Sequence, residues 1–497
     1  MRSFIIICGF LITGLFDARM YATDFNDMEI AKLRSFLMQE SAVPGKKNYQ
    51  QIGLESMDHI DWKATTVNGL YFNGLTYLLE RVHWGNAKIA GHLDLSGFAG
   101  LEYLYCGYNQ LKSVNIENAS ALLICDFYEN NLNAVDVTTN PLLTYLRVGY
   151  NNLRSIDLSN NQSLDIFCCT RNQITTLDIS NNASICTLYC VGNDMQSIKL
   201  DNCTALENFY GDFNNFDILN FSHLPKLKYV ACRINKAKEL NFHNCVSLEE
   251  LYCNDNELSV LDLSKCANLK ILNCNRNRLT SLDLSVCRRL ETVYCENNQL
   301  YSLEVSNSPL LTTLYCKNNN LNFLSLPVHL STMTTFLYAP QYSVSIECAY
   351  DNVDFTGFYY LSDFTSKFLW KHKHLLIYPV ENQDGRFVFD KSLIGETITC
   401  SAQNETFPYL VMSYSIKLTP NGGSGNVNPL INSPLIYAGE QSIQVKTDKP
   451  ALVCIYSIQG LLCAKKTVSA GHTVIPVERG MYVVVVDDKA QVKVIVR

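Results

Sequence analysis

The chain has 497 residues and a mass of 56.2 kDa, which at about 100–200 residues per domain predicts three or four domains. Hydrophobic residues make up 47%, enough for a sizeable core, so wholesale disorder is excluded. A net charge of −7 argues against a nucleic-acid protein, which carries a basic patch or stripe.

Arg2, an apolar run from Phe4 to Phe16, and the closing Asp17 and Arg19 read as a secretory signal over residues 1–22, with Ala22 as the cleavage residue. The run is short for a membrane helix, which needs about 20 apolar residues. A lipoprotein signal using Cys8 is the rival, but Ile7 before it is not small and the apolar run continues past it. Export is therefore expected, to the cell surface (outer membrane) or the medium, with no transmembrane segment in the mature chain. Residues 23–100 read as an N-terminal cap. Asn26 with Glu29 has the pattern of a capping box, and Ile30, Leu33, Phe36 and Leu37 have helical spacing. Strand-like pieces follow, and HLDLSGF at His92 matches half of the repeat that comes next, as a degenerate first coil.

From Leu101 a 21-residue repeat of the form L-x-x-L-x-C-x-x-N-x-L-x-x-L-x-L runs eleven times without insertion. Asparagine is its strictest position: Asn109, Asn130, Asn151, Asn172, Asn193, Asn214, Asn235, Asn256, Asn277, Asn298 and Asn319. An amide buried at a turn can satisfy backbone groups that the turn leaves unpaired. This pattern resembles the leucine-rich repeat family, closest to the short-repeat, internalin-like bacterial surface proteins. The resemblance implies a parallel solenoid over residues 101–334, with one short strand per coil on a concave face.

The repeat also sorts the cysteines. Cys106, Cys169, Cys190, Cys232, Cys253, Cys274, Cys295 and Cys316 share the sixth position, where Phe127, Val148 and Gly211 stand otherwise. Cys203, Cys245, Cys266 and Cys287 alternate with Asn140, Asn161 and Asn182 at another. Disulfides or metal ligands are the functional alternatives. Stacked coils give parallel Cβ vectors, however, and no C-x-x-C spacing occurs, so small core hydrophobes are expected.

The repeat fails after Leu326. Residues 335–420 alternate as strands, and Trp370 with Cys400 resembles an immunoglobulin-like sandwich, although no cysteine stands a dozen residues before Trp370. Residues 421–435 are a Gly/Asn/Pro-rich linker. Residues 436–497 form a second small β unit, with a hairpin turn at Gln459–Gly460 that could bring Cys454 and Cys463 together. Its stretches VCIYSIQGLL, GMYVVVV and KVIVR resemble the C-terminal sorting domain of proteins exported by type IX secretion, which implies that machinery as a partner. The fold class expected is mainly β: a leucine-rich repeat parallel solenoid with an N-terminal helical cap, followed by two small β-sandwich domains.

No nucleotide loop, nucleophile elbow or H-E-x-x-H motif is present. His372 and His374 would share one face of a strand but lack a third ligand nearby. The recurring Asp136, Asp157, Asp178, Asp262, Asp283 and Glu304 read as solvated or turn-forming residues. No catalytic residue, metal or cofactor is assigned. The outward strand row is the informative part: Tyr105, Asp126, Arg147, Cys168, Tyr189, Tyr210, Ala231, Tyr252, Asn273, Tyr294 and Tyr315, with Tyr103, Tyr145 and Tyr229 two residues earlier in their strands. Tyrosine joins a large apolar body to a polar tip at low entropy cost, which suits binding, while its strand propensity is the plainer explanation. The expected function is non-enzymatic, surface-exposed or secreted binding of a protein or glycan, host-derived ligands included, with no nucleic-acid partner. An enzyme with a site outside the solenoid, marked by a pocket of perturbed titratable groups, and a structural spacer of the cell envelope are the alternatives.

Overall fold

The computed structural model describes residues 18–58, 60, 62, 66–73, 76, 78–327, 329–361, 364–420, 435–439, 442–447, 451–457, 462–469, 471–477, 480–486 and 490–496. The expected signal run and Cys8 therefore lie outside the described residues, as do most of the linker and the Gln459–Gly460 turn. Two compact units emerge, one of residues 1–319 with 326–338, the other of residues 320–325 with 339–497.

Most coils of the first unit contribute a three-residue strand around the second Leu to one face, such as Tyr103–Tyr105 or Thr187–Tyr189, and some add a second short strand, such as Thr176–Asp178 paired with Ser197–Lys199. The strands around the second Leu stack into a fifteen-stranded sheet. The first strands, Thr66–Val67 and Leu70–Phe72, pair antiparallel, and from Leu79–His83 onward every pairing is parallel. Equivalent residues sit side by side, as in Leu188 beside Phe209 and Tyr189 beside Tyr210. The degenerate first coil before Leu101 joins the sheet, with Arg81 beside Tyr103. One outcome differs from the sequence expectation: the sheet extends past residue 334, because strand Thr335–Leu337 joins it after one extra residue, Leu337 beside Tyr315.

The asparagine column explains why that position never varies. Asn172 Nδ2 donates to the carbonyl of Val148 in the preceding coil at 3.0 Å and to that of Cys169 in its own at 3.0 Å. Its Oδ1 accepts the amide of Leu153 at 2.9 Å. The same pattern runs from Asn109 to Asn319. The amides thus bond backbone to backbone along the axis, and do not bond one another.

The second column has a different logic. Asn182 Nδ2 donates to Leu158 O and Asn161 O, both at 2.9 Å, yet its Oδ1 is buried with no hydrogen-bond partner in the protein, as are those of Asn140 and Asn161. Cys203 Sγ donates to Ile179 O at 3.2 Å and Cys245 Sγ to Phe221 O at 3.1 Å, the carbonyls that an asparagine there would reach. Cysteine replaces asparagine because it keeps the donor and strands no oxygen. The sixth-position cysteines are fully buried as well, and Gly211 replaces one of them because a Cβ there would collide with the Phe209 ring. Both columns carry free thiols. Burial pushes the Cys274 and Cys203 thiols up to about 12, so they stay protonated and inert near neutrality.

At the other end of the sequence, helix α1 (Ala18–Leu37) runs straight through Asn26, so Asn26 does not cap it; the helical pattern simply begins earlier. Phe36 stacks on the buried Trp84 at 5.6 Å, and Trp84 Nε1 donates to Asn68 O. Lys32 reaches Ser96 O and Asp94, and Asn48 bridges Phe36 O and Ala90 O.

In the second unit, a five-stranded sheet takes the order Val344–Ala349, Val411–Thr419, Thr397–Gln403, Lys367–His372, Leu375–Ile377, with its first pair parallel. Trp370 and Cys400 are register partners on neighbouring strands, and Trp370 packs on Phe387 and Phe389. His372 and His374 do not share a strand face. Lys373 and His374 form the positive-φ turn after the strand, and His372 meets Glu396 instead. Val353–Asp354, Arg386–Val388 and Glu381–Gln383 form a small three-stranded sheet beside it, Tyr360–Leu361 pairs with Phe364–Thr365, and the strands from Leu435 onward build a three-stranded and a four-stranded sheet around Ile443, Val453, Ile455 and Val484. Lys465 stands opposite Cys454 and a bulge follows, so the register does not oppose Cys454 to Cys463.

Candidate ligand interface

Most strands of the parallel sheet bury the middle residue and leave the two flanking ones half-exposed on one face. That face holds all the tyrosines singled out above, with Asp126 and Arg147. Ala231 alone in the row is fully buried, beneath its larger neighbours.

The rings form groups. Tyr189 stacks on Tyr210 at 4.5 Å and 13°, Tyr210 meets Tyr229 at 4.8 Å, and Tyr229 meets Tyr252 at 5.6 Å, a continuous column of four. Tyr294 and Tyr315 form a separate pair at 5.0 Å. Towards the N-terminal end, His83 lies edge-on to Tyr105 at 4.5 Å and the Arg81 guanidinium covers Tyr103. Tyr145 stands in the same row as Tyr103, beside Ile166. Burial pushes the Tyr252 phenol up to about 12, helped by its hydrogen bond to Glu250, so it remains a neutral donor.

Sequence reasoning missed a further row. The residue just before each invariant asparagine has positive φ, because its N–H must turn to meet the next coil, as Phe213 N does at Arg233 O. Glycine, asparagine and aspartate adopt that conformation cheaply. Gly192, Asp255, Asn297 and Asn318 are such residues, and they are the signal by which the row could have been found. Tyr108, Tyr150, Phe213 and Ile234 are not. Bulky or β-branched residues at φ near +55° cost about 1–3 kcal/mol each, yet Phe213 is 48% and Ile234 45% exposed and neither fills a core. Tyr128, one residue earlier in its turn, completes this edge by touching Tyr108 and Tyr150 and receiving the Arg147 guanidinium 3.6 Å above its ring.

Charge on the solenoid is paired internally. Among the described residues every ion pair between coils joins an acid to the base 21 residues later, from Asp126–Arg147 through Asp212–Arg233 to Glu296–Lys317. Asp136, Asp157, Asp178, Asp262, Asp283 and Glu304 accept the amide two residues on, the turn-forming role expected of them. No cluster of His, Cys, Asp and Glu suited to a metal occurs among the described residues.

Among the described residues two thiols escape the core. Cys168 is half-exposed on the strand face, and Cys186, just before the strand Thr187–Tyr189, is half-exposed as well, which the sequence reading did not separate from its neighbours. A maleimide applied to the folded protein is expected to modify Cys168 and Cys186 first. In denatured, unreduced protein the ladder cysteines should titrate as free thiols; a majority found paired would contradict the packing role.

No protein-family model and no curated protein sequence matches the chain. Among solved structures, it is similar to the functional domain of InlJ from Listeria monocytogenes, described as including a cysteine ladder, at 21% identity over 66% of this chain and 83% of that one, with a TM-score of 0.45. It is also similar to YopM, a leucine-rich effector protein of Yersinia pestis, at 24% identity over 50% and 69%, with a TM-score of 0.41. The fold, on its own register and asparagine column, is a leucine-rich repeat solenoid.

Proposed function

We propose that the chain is a non-enzymatic, adhesin-like binding protein, surface-exposed or secreted, which grips a protein or glycan on its tyrosine-rich concave face. The observation that carries this reading is the column Tyr189–Tyr210–Tyr229–Tyr252, four half-exposed rings in contact across consecutive coils. Strand propensity alone would place Val, Ile and Thr in the row of Tyr189, Tyr210 and Tyr252 as readily, as it does two residues earlier at Ile124, Ile166 and Thr187. A featureless polar face would favour a spacer instead. Replacing Tyr210 and Tyr252 together by Ser is expected to lower retention on a panel of matrix proteins and oligosaccharides by at least about tenfold, since aromatic anchors dominate interfaces. An unchanged retention profile would count against the reading.

Residues 1–22 direct export in this scheme, residues 23–100 cap the apolar first coil, residues 339–420 form an immunoglobulin-like spacer, and residues 436–497 act as a type IX sorting tail. Among the described residues no helix is long and apolar enough to cross a membrane. Deleting 436–497 should leave solenoid folding and ligand retention unchanged but hold the chain in the periplasm of a host with that machinery. A tail-less chain reaching the surface in normal amounts refutes the sorting role.

A further inference from the structure

We propose that the edge row of Tyr108, Tyr150, Phe213 and Ile234 is the apolar anchor for an uncharged, hydrophobic segment of a polypeptide partner. The proposal rests on the concave-face reading and narrows it, because the row adjoins the tyrosine face coil by coil.

Three observations favour this occupant. First, exposed apolar side chains are placed where the backbone would prefer Gly, Asn or Asp, and only in the N-terminal part of the row, interspersed there with Glu129, Arg171 and Gly192. Beyond Ile234 the position passes to Asp255, Arg276, Asn297 and Asn318. Tyr108 and Tyr150 lean on Tyr128, but Phe213 and Ile234 fill no core, and backbone strain retained at such exposed side chains points to an external contact. Second, the charges along this stretch balance. Asp126, Glu129 and Asp212 are matched in number by Arg147, Arg171 and Arg233, and Arg233 holds Asp212 through two nitrogens at 2.6 and 3.0 Å. An acidic polysaccharide or any other polyelectrolyte would find no excess charge to answer its own, whereas a neutral segment does not have to displace these pairs. Third, several ring faces beside the row are already in use. Tyr189 and Tyr210 lie nearly parallel against each other, and Arg147 covers Tyr128. A sugar ring needs a free aromatic face and many hydroxyl partners. An aliphatic or aromatic side chain needs only the edges, and Ile234 offers nothing else.

The full-length chain is tested for retention on immobilised short peptides of three compositions (apolar neutral, acidic and basic) and on neutral and acidic oligosaccharides. Retention should be confined to the apolar neutral peptides. The Phe213→Asn/Ile234→Asn variant should lose it by about tenfold or more. That variant should also melt at the same or a higher temperature, because asparagine relieves the positive φ, so the loss cannot come from misfolding. Retention on oligosaccharides or charged peptides, retention on no peptide, undiminished retention of the variant, or a lowered melting temperature would each overturn the proposal. Tyr210→Ser/Tyr252→Ser separates the two readings. If it abolishes retention while Phe213→Asn/Ile234→Asn does not, the edge anchor is wrong and the concave face stands; if neither variant matters, both fail.

Discussion

Asn172→Ala is expected to destabilise the solenoid by about 3–5 kcal/mol, measured as the loss of protection of the Leu153 amide in hydrogen exchange. Asn172 Nδ2 serves the carbonyls of Val148 and Cys169, with Thr170 more distant at 3.4 Å, and its Oδ1 serves Leu153 N–H. Alanine removes both atoms and leaves these buried backbone groups without partners, at about 1–3 kcal/mol each before any relaxation. Water cannot readily replace the amide, because the column is lined on both sides by closed coils. The control is Asn182→Cys, expected to cost only about 1–2 kcal/mol, because the bond to Asn161 O alone is lost. There the Oδ1 is already unpartnered, and a thiol can donate to Leu158 O as Cys203 does to Ile179 O. If the two variants cost the same, the two columns do not differ as described.

The contrast also explains what the sequence disclosed. A period of 21 with one residue type that never changes can be seen in the letters alone, and it sets strand, turn and core positions together. The Asn/Cys exchange was visible as a pattern, but its reason was not, since it depends on a carbonyl 24 residues back that only the stacked coil brings near. The same limit hid the edge row. Its residues vary freely in type because what they share is a backbone conformation, and only Gly192, Asp255, Asn297 and Asn318 betray that conformation chemically. Cys125 was missed for the opposite reason: it occupies an inward leucine slot, outside both cysteine columns. Arg81 and His83 were legible in principle, being 22 residues before Tyr103 and Tyr105, but the extra residue breaks the register there. The helix start failed because Asn26 followed by Glu29 is a local signal, overridden by helix on both sides. The tyrosine face was legible, because alternation along a strand assigns a face to every residue.

Glu29 gives the second large effect, and its sign is fixed by its surroundings. It lies on α1 with 3% of its surface exposed, accepts the Leu79 amide through Oε2 at 3.4 Å, and has no hydrogen-bond partner in the protein for Oε1. Burial raises its carboxyl from 4.5 to about 7, only partly opposed by the Leu79 bond and by Lys32, which is itself engaged with Asp94. The folded chain therefore holds this proton where the unfolded chain has released it. Stability is full below pH 4.5 and falls by about 1.4 kcal/mol per unit as pH rises towards 7, roughly 3 kcal/mol in all, then levels off. The effect concerns the contact between α1 and the first coils, so the fluorescence of Trp84, which stacks on Phe36 of the same helix, should report it. Glu29→Gln keeps the shape and an acceptor for Leu79 without the charge. It should flatten the pH dependence between 4.5 and 7 and make the N-terminal end more stable than wild type at pH 8, by about 1–3 kcal/mol. A slope that persists undiminished in Glu29→Gln would assign the pH dependence to another group.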